Sequence, residues 1–124
     1  MSIAEDQLLV YIKRGYFQVL GNGVIVRLFE LHNNKWRRCK PRVATQPSGD
    51  YLSVSVKMKR GYKQALAHRV VYRWFRGRIP PNYVINHIDG NKRNNHPKNL
   101  EAITQAENVQ HAKNILKVGP WNKK

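Results

Sequence analysis

Hydrophobic residues in this chain come in short words, and nearly every word is closed by Gly, Asn or Pro. That punctuation predicts short strands joined by tight turns. "YFQVL" and "VIVRLFE" flank Gly21-Asn22-Gly23, a hairpin signature, because Gly and Asn accept the positive φ that a tight turn demands. "KWRRCK" follows a second turn pair, Asn33-Asn34, and "PRVATQPSG" reads as a loop. "DYLSVSVK" alternates with period two, which puts Leu52, Val54 and Val56 on one face. Gly61 then marks a turn before "YKQAL". Residues 16–66 are thus expected to form a small antiparallel region.

Two helices complete this part of the pattern. Ser2 and Glu5 make an S-x-x-E capping box ahead of Ile3, Leu8, Leu9 and Ile12 at helical spacing, with Gly15 as the stop, so a helix is expected at 3–14. "HRVVYRWFRG" predicts a second helix at 68–77. His68, Val71, Tyr72 and Phe75 share one face of it and Arg69, Arg73 and Arg76 another; Gly77 and Pro80-Pro81 end it. The reading is an α+β chain forming a single domain over 1–124.

Charge narrows the partner. The 23 Lys and Arg outnumber the 7 Asp and Glu, for a formal net charge of +16. Such an excess repels itself in a folded chain, and a polyanion is the usual counterpart. Two clusters are the expected phosphate contacts: Lys35, Arg37, Arg38, Lys40 and Arg42, then Lys57, Lys59, Arg60, Lys63, Arg69, Arg73, Arg76 and Arg78. Lys92 and Arg93 add to them further on. A β-ribbon fits the major groove, so the strand region is also a candidate reader of bases. The single cysteine, Cys39, allows neither an internal disulfide nor a Cys-based zinc site and fits a reducing cytoplasm. No apolar run approaches the roughly 18 residues of a membrane span, and the N-terminus does not read as a signal peptide.

The most unusual stretch is "NYVINHIDGNKRNNHPKNLEAITQAENVQHA", from Asn82 to Ala112. "YVINHI" reads as a strand and Asp89-Gly90 as its turn. "NKRNNHPKN" is too polar for a regular element, and "LEAIT" closes back as an extended piece. Thr104 and Glu107 form another capping box, so a helix is expected from about Gln105 to Lys113. The order is ββα. If the unit folds back on itself, His87 and Asn108 face one another across a cleft, beside a helix N-terminus that favours a phosphate. An imidazole, an oxygen ligand and an anion-attracting helix end suit phosphodiester hydrolysis.

"AHRVVYRWF", "INHIDGNKRNNHPKNLEAIT" and "AENVQHA", with His87, Asn99 and Asn108 in register, resemble the phage-type HNH endonucleases, including homing enzymes, over residues 67–112. The resemblance implies a ββα-metal (His-Me finger) nuclease core at 67–113. It would follow an N-terminal helix and basic β-rich DNA-binding region at 1–66 and precede a basic tail at 114–124. It makes His87 the general base that takes a proton from the attacking water, a role that suits an imidazole near neutral pH. It makes Asn99 the residue that braces the loop, and Asn108 the ligand of a single divalent metal. It makes Asn86 a second ligand, where many members carry Asp or His. The metal would neutralise charge as the P–O bond breaks, leaving a 5′-phosphate and a 3′-hydroxyl. Mg²⁺ is the expected ion, Mn²⁺ the second candidate, and Zn²⁺, with His111 as an added ligand, the least suited. With Asn86 and Asn108 both neutral, metal binding is expected to be weak until DNA phosphate joins the site.

Other polar residues have plainer readings. Asp89 is a turn residue, Asn94 and Asn95 bond to loop backbone, and His68 is a buried structural histidine. His96 sits in a surface loop, and His32 has no case for function. The partner implied is double-stranded DNA, with no membrane, in a host cytoplasm if the gene is phage-borne. A monomer would nick and a dimer could cut both strands; the residues leave this open. With only "NILKVGPWNKK" after residue 113, any specificity is expected from the strand region. The alternatives are a non-catalytic DNA-binding protein that keeps a degenerate HNH fold, and an RNA-directed nuclease.

Overall fold

Ser2 opens the chain's first helix, α1 (Ile3–Lys13), by accepting the Glu5 N–H at 3.4 Å. The return bond of the capping box is not made, because the Glu5 carboxylate turns inward. The computed structural model describes residues 2–110. Ala4, Leu8, Tyr11 and Ile12 form the inner face of α1, and Tyr11 Oη donates to the Lys57 carbonyl at 2.7 Å, pinning the helix to the sheets.

Strands β1 (Phe17–Val19), β2 (Ile25–His32) and β3 (Lys35–Val43) make one antiparallel sheet in that order. The hairpin turn falls at residues 21–23 as expected. Asn33 and Asn34, at φ 51° and 61°, make the β2–β3 turn. The register slips between Arg27 and Phe29, where the Tyr16 carbonyl accepts N–H bonds from both Leu28 and Phe29. This bulge lets Tyr16 stack on Trp36, with ring centroids 4.3 Å apart, while Tyr11 meets the same indole edge-on at 4.9 Å.

A second antiparallel sheet holds β4 (Thr45–Ser48), β5 (Tyr51–Lys57) and β6 (Tyr62–Leu66) in that order. The segment expected to be a loop is therefore mostly strand: β3 runs on through Pro41 to Val43, and β4 pairs with β5 along its length. Both prolines lie on edge strands, where a missing N–H leaves no ladder bond unmade. Val54 and Val56 are buried and Leu52 is half-buried, in line with the period-two pattern.

Helix α2 (Ala67–Arg76) begins one residue before the expected start. Its buried stripe is Ala67, His68, Val70 and Val71; Phe75, assigned to the inner face from spacing, is 42% exposed. The buried stripe ends at Val71, and further along the helix Arg73 meets α1 through Glu5 and Asp6. Strands β7 (Tyr83–His87) and β8 (Leu100–Thr104) then pair antiparallel, from Tyr83↔Thr104 to His87↔Leu100. Thr104 and Glu107 make a reciprocal capping box, with the Glu107 carboxylate accepting from Thr104 N–H at 2.9 Å, and helix follows at 105–110. The expected end of this helix, His111 and the basic tail lie outside the described residues. The shared core joins Leu8, Ile12, Phe17, Ile25, Val54, Val56, Val70, Val71, Ile85 and Leu100, so the β7–β8 unit is seated on the same apolar centre as both sheets. No helix among the described residues is long and apolar enough to cross a membrane.

Two arginines assigned to the phosphate-contacting surface face inward instead. Arg69 Nε meets the Glu5 carboxylate at 2.7 Å, and Arg73 reaches Glu5 at 3.4 Å and Asp6 at 2.8 Å. Glu5 is 3% exposed. A carboxylate that deep is stable only with its charge matched, so Arg69 and Arg73 lock α1 to α2.

Candidate active site

The loop between β7 and β8 is built from carboxamides. Asn99 closes it: its Oδ1 accepts the Asp89 N–H at 3.0 Å, while its Nδ2 donates to the Asp89 carboxylate and to the Asn94 carbonyl, both at 2.9 Å. Its backbone carbonyl accepts from Ile88 N–H at 2.9 Å. Asp89 accepts further bonds from Asn94 Nδ2 and Asn91 N–H. Desolvation pushes the Asp89 carboxyl up, but the hydrogen bonds from Asn94, Asn91 and Asn99 outweigh it and hold its pKa below the ordinary value. Asp89 is thus more than a turn residue: it is the acceptor at which the loop converges.

This bracing fixes His87, the last residue of β7, which is 4% exposed. Its Nε2 lies 2.9 Å from Asn95 Oδ1, and Asn95 is itself buried. A carboxamide oxygen accepts, so Nε2 carries the proton and Nδ1 the lone pair. Nδ1 makes no hydrogen bond among the described residues, yet it is not sealed: the one fully buried side-chain polar atom without a partner there is His68 Nδ1. Burial lowers the His87 pKa, against smaller upward contributions from the Asn95 bond and Asp89. The result is a neutral imidazole with an available lone pair at neutral pH.

Sequence alone predicts that Asn95 bonds to loop backbone; its side chain instead meets His87. The Asn94-Asn95 doublet carried that signal only in company, since nothing in a lone carboxamide says which way it points. The turn of the β1–β2 hairpin takes part as well. Gly23 stands at φ 87°, and a Cβ there would lie 1.9 Å from the Asn95 carbonyl oxygen. Only glycine lets the hairpin back onto the loop so closely.

His68 on α2 reaches the site from the other side. Its ring centroid is 5.1 Å from that of His87 and 5.0 Å from that of Tyr51, on which it stacks. Burial, with His87 and Arg69 nearby, lowers its pKa to about 3, so it stays neutral. The structural reading of His68 agrees with this environment, and its contact with His87 adds a wall to the pocket.

Asn86 lies on β7 beside His87, 7% exposed, and donates from Nδ2 to the Glu101 carboxylate at 3.1 Å. Asn108 stands in the helical segment 105–110, half-buried, and its side chain makes no hydrogen bond to His87 or to another side chain among the described residues. No three His, Cys, Asp or Glu side chains gather into a metal cluster among the described residues. The donors on offer are neutral carboxamide oxygens, and these fit a hard, oxygen-preferring divalent ion rather than a thiolate- or imidazole-preferring one. His96 Nδ1 accepts the Lys98 N–H at 3.1 Å, a local cap.

The cations differ in freedom. Lys35, Arg37, Arg38, Lys40, Lys59, Arg60, Lys63 and Arg78 are exposed and make no ion pair among the described residues. Arg38 lies over the Phe29 ring and Lys57 over Tyr62. Arg42 pairs with Glu30 at 3.1 Å. Arg76 donates to the Pro97 carbonyl and Arg93 to the Gly49 carbonyl, and Lys92 sits 3.7 Å from Asp50.

Residues 65–110 match the profile of the HNH endonuclease family. The chain is 49% identical over 77 residues to a protein of Bacillus subtilis (strain 168) named as an SPbeta prophage-derived HNH homing endonuclease, YosQ; the match covers 61% of this chain and 44% of YosQ. An uncharacterized HNH endonuclease of Acanthamoeba polyphaga mimivirus is 45% identical over 67 residues, covering 52% of this chain and 17% of that protein. The chain thus spans less than half the length of these relatives. Among solved structures, that of the HNH homing endonuclease I-HmuI, described for DNA binding and cleavage, shares the fold with a TM-score of 0.60 at 24% identity, covering 88% of this chain and 58% of that one.

Proposed function

We propose that this chain, which belongs to the HNH endonuclease family through residues 65–110, hydrolyses phosphodiester bonds of double-stranded DNA with His87 as general base. The observation that carries the reading is the His87–Asn95 pair. Asn95 holds the proton on Nε2, which leaves the Nδ1 lone pair to accept a proton from a water molecule attacking phosphorus. The lowered pKa keeps that lone pair unprotonated at neutral pH. Asn99, through Asp89, holds the loop that carries Asn95, so the base keeps one orientation through the reaction.

HNH nucleases generally depend on a divalent metal. Asn86, through its carboxamide oxygen, and Asn108 are the residues that would hold it, and Mg²⁺ or Mn²⁺ suits such donors. When bound, the ion supplies positive charge to the phosphate and to the leaving 3′-oxygen. Both protein ligands are uncharged, so the ion is expected to bind more tightly with DNA present. The exposed cations of β3, with Lys59, Arg60 and Lys63 on and before β6, form the surface assigned to the duplex.

The test is a supercoiled plasmid incubated with Mg²⁺ or Mn²⁺, with and without chelator. Nicked or linear product that vanishes with chelator is the expected result. Binding without cutting under every divalent ion would leave a DNA-binding protein with a retained fold, and preference for an RNA duplex would redirect the substrate.

A further inference from the structure

Nearly every acid in the described chain answers a cation or closes a turn. Glu5 and Asp6 pair with Arg69 and Arg73, Glu30 with Arg42, and Asp50 with Lys92. Asp89 gathers the loop, and Glu107 caps a helix. Glu101 does neither. Although the chain holds 23 Lys and Arg, Glu101 makes no ion pair among the described residues. Its side chain instead accepts from Asn86 Nδ2 at 3.1 Å. The two stand directly opposite one another, Asn86 buried on β7 and Glu101 half-buried on β8. Directly opposed side chains on an antiparallel pair share one face.

A carboxylate can only accept, so Nδ2 must face Glu101 and Oδ1 must face away from it. A hydrogen bond from the amide nitrogen to a negative charge also draws electron density toward Oδ1. The same arrangement, in which a carboxylate outside the ligand shell holds and polarises a neutral ligand, is general in metal sites. We propose that Glu101 is a positioning residue for the divalent ion: it orients the Asn86 carboxamide, oxygen outward, and lends this neutral ligand the negative charge it lacks. The inference rests on the reading of Asn86 as a metal ligand. Glu101 takes no part in the His87–Asn95 hydrogen bond or in the His87–His68 ring contact.

The experiment measures Mn²⁺ binding by electron paramagnetic resonance, with His87→Ala protein bound to a short synthetic duplex so that no cleavage intervenes, against duplex alone. Glu101→Gln and Asn86→Ala are each introduced into that background. Each is expected to weaken Mn²⁺ binding by about tenfold or more, and the double variant little further, because both act on one ligand. Glu101→Asp, which keeps the charge at shorter reach, is expected to recover part of the loss; it also serves if Glu101→Gln does not fold. If Glu101 serves only strand pairing, thermal melting shifts and Mn²⁺ affinity does not, and the inference is overturned. If Asn86→Ala weakens the ion while Glu101→Gln does not, Glu101 loses its role and Asn86 keeps its own. If neither changes the affinity, the assignment of Asn86 as a ligand falls, and the inference with it.

Discussion

The α1–α2 interface and the β7–β8 unit are both organised around acids, but the acids face different partners. At the interface, Glu5 meets two guanidinium groups and Asp6 one of them, so charge cancels charge. In the loop, Asp89 is ringed by carboxamide and backbone donors and Glu101 meets Asn86, so the negative charge is oriented but not cancelled. The first arrangement joins two helices and leaves nothing over for a ligand. The second leaves an imidazole nitrogen and carboxamide oxygens open. In a chain this basic, Asp89 and Glu101 stand out among the described residues as acids left without a cation around His87 and Asn86.

The contrast can be broken from the interface side first. Glu5→Gln should destabilise the fold by about 3–5 kcal/mol, because two arginines lose their buried counter-charge, while cleavage by the protein that remains folded changes little. Denaturant unfolding alongside plasmid nicking separates the two, and a stable variant with lost nicking would reverse the assignment. On the loop side, Gly23→Ala should cost on the order of 2–4 kcal/mol, from a left-handed backbone position and a clash with the Asn95 carbonyl. Here nicking should fall further than the folded fraction, since the displaced residue holds His87, the proposed base. Equal falls in both would make the hairpin turn merely structural.

Acid sharpens the comparison at the wall between these regions. His68 has a folded pKa of about 3, below the ordinary 6.5, so the unfolded chain takes up the proton that the folded one refuses. Stability should be fully present above pH 6.5 and fall as the pH drops toward 3, by at most about 1.4 kcal/mol per pH unit. His68→Phe, with a ring of similar shape, should flatten the pH 6 to 5 part of that slope in thermal melts. An unchanged slope would mean that another group titrates. The smallest effect is expected at the surface: Lys40→Ala should weaken duplex binding only several-fold and lower the salt dependence by about one phosphate contact. Arg73→Ala should instead act through stability, as its charge is already matched by Glu5 and Asp6.

Much of this was legible in the residues. Turn pairs placed the hairpins, capping boxes placed the starts of the first and last helices, and "YVINHI" was legible as the strand that carries His87. What escaped were long-range partnerships. Arg69 and Arg73 look like surface cations until Glu5, far away in sequence, is seen beneath them. Phe75 fits the apolar period of α2, yet it stands 42% exposed. The strand after Pro41 was hidden by prolines that an edge tolerates. Asn95 and Glu101 act through contacts across a loop and a strand pair, and periodicity carries no information about those.

Plasmid nicking by His87→Ala, with duplex binding measured in parallel, tests the central claim most directly. The expected outcome is a rate lower by about 10²–10⁴-fold with affinity for DNA retained. A variant that binds and cuts at the original rate would show that this imidazole does not activate the water, and the proposed chemistry would have to be placed elsewhere in the chain.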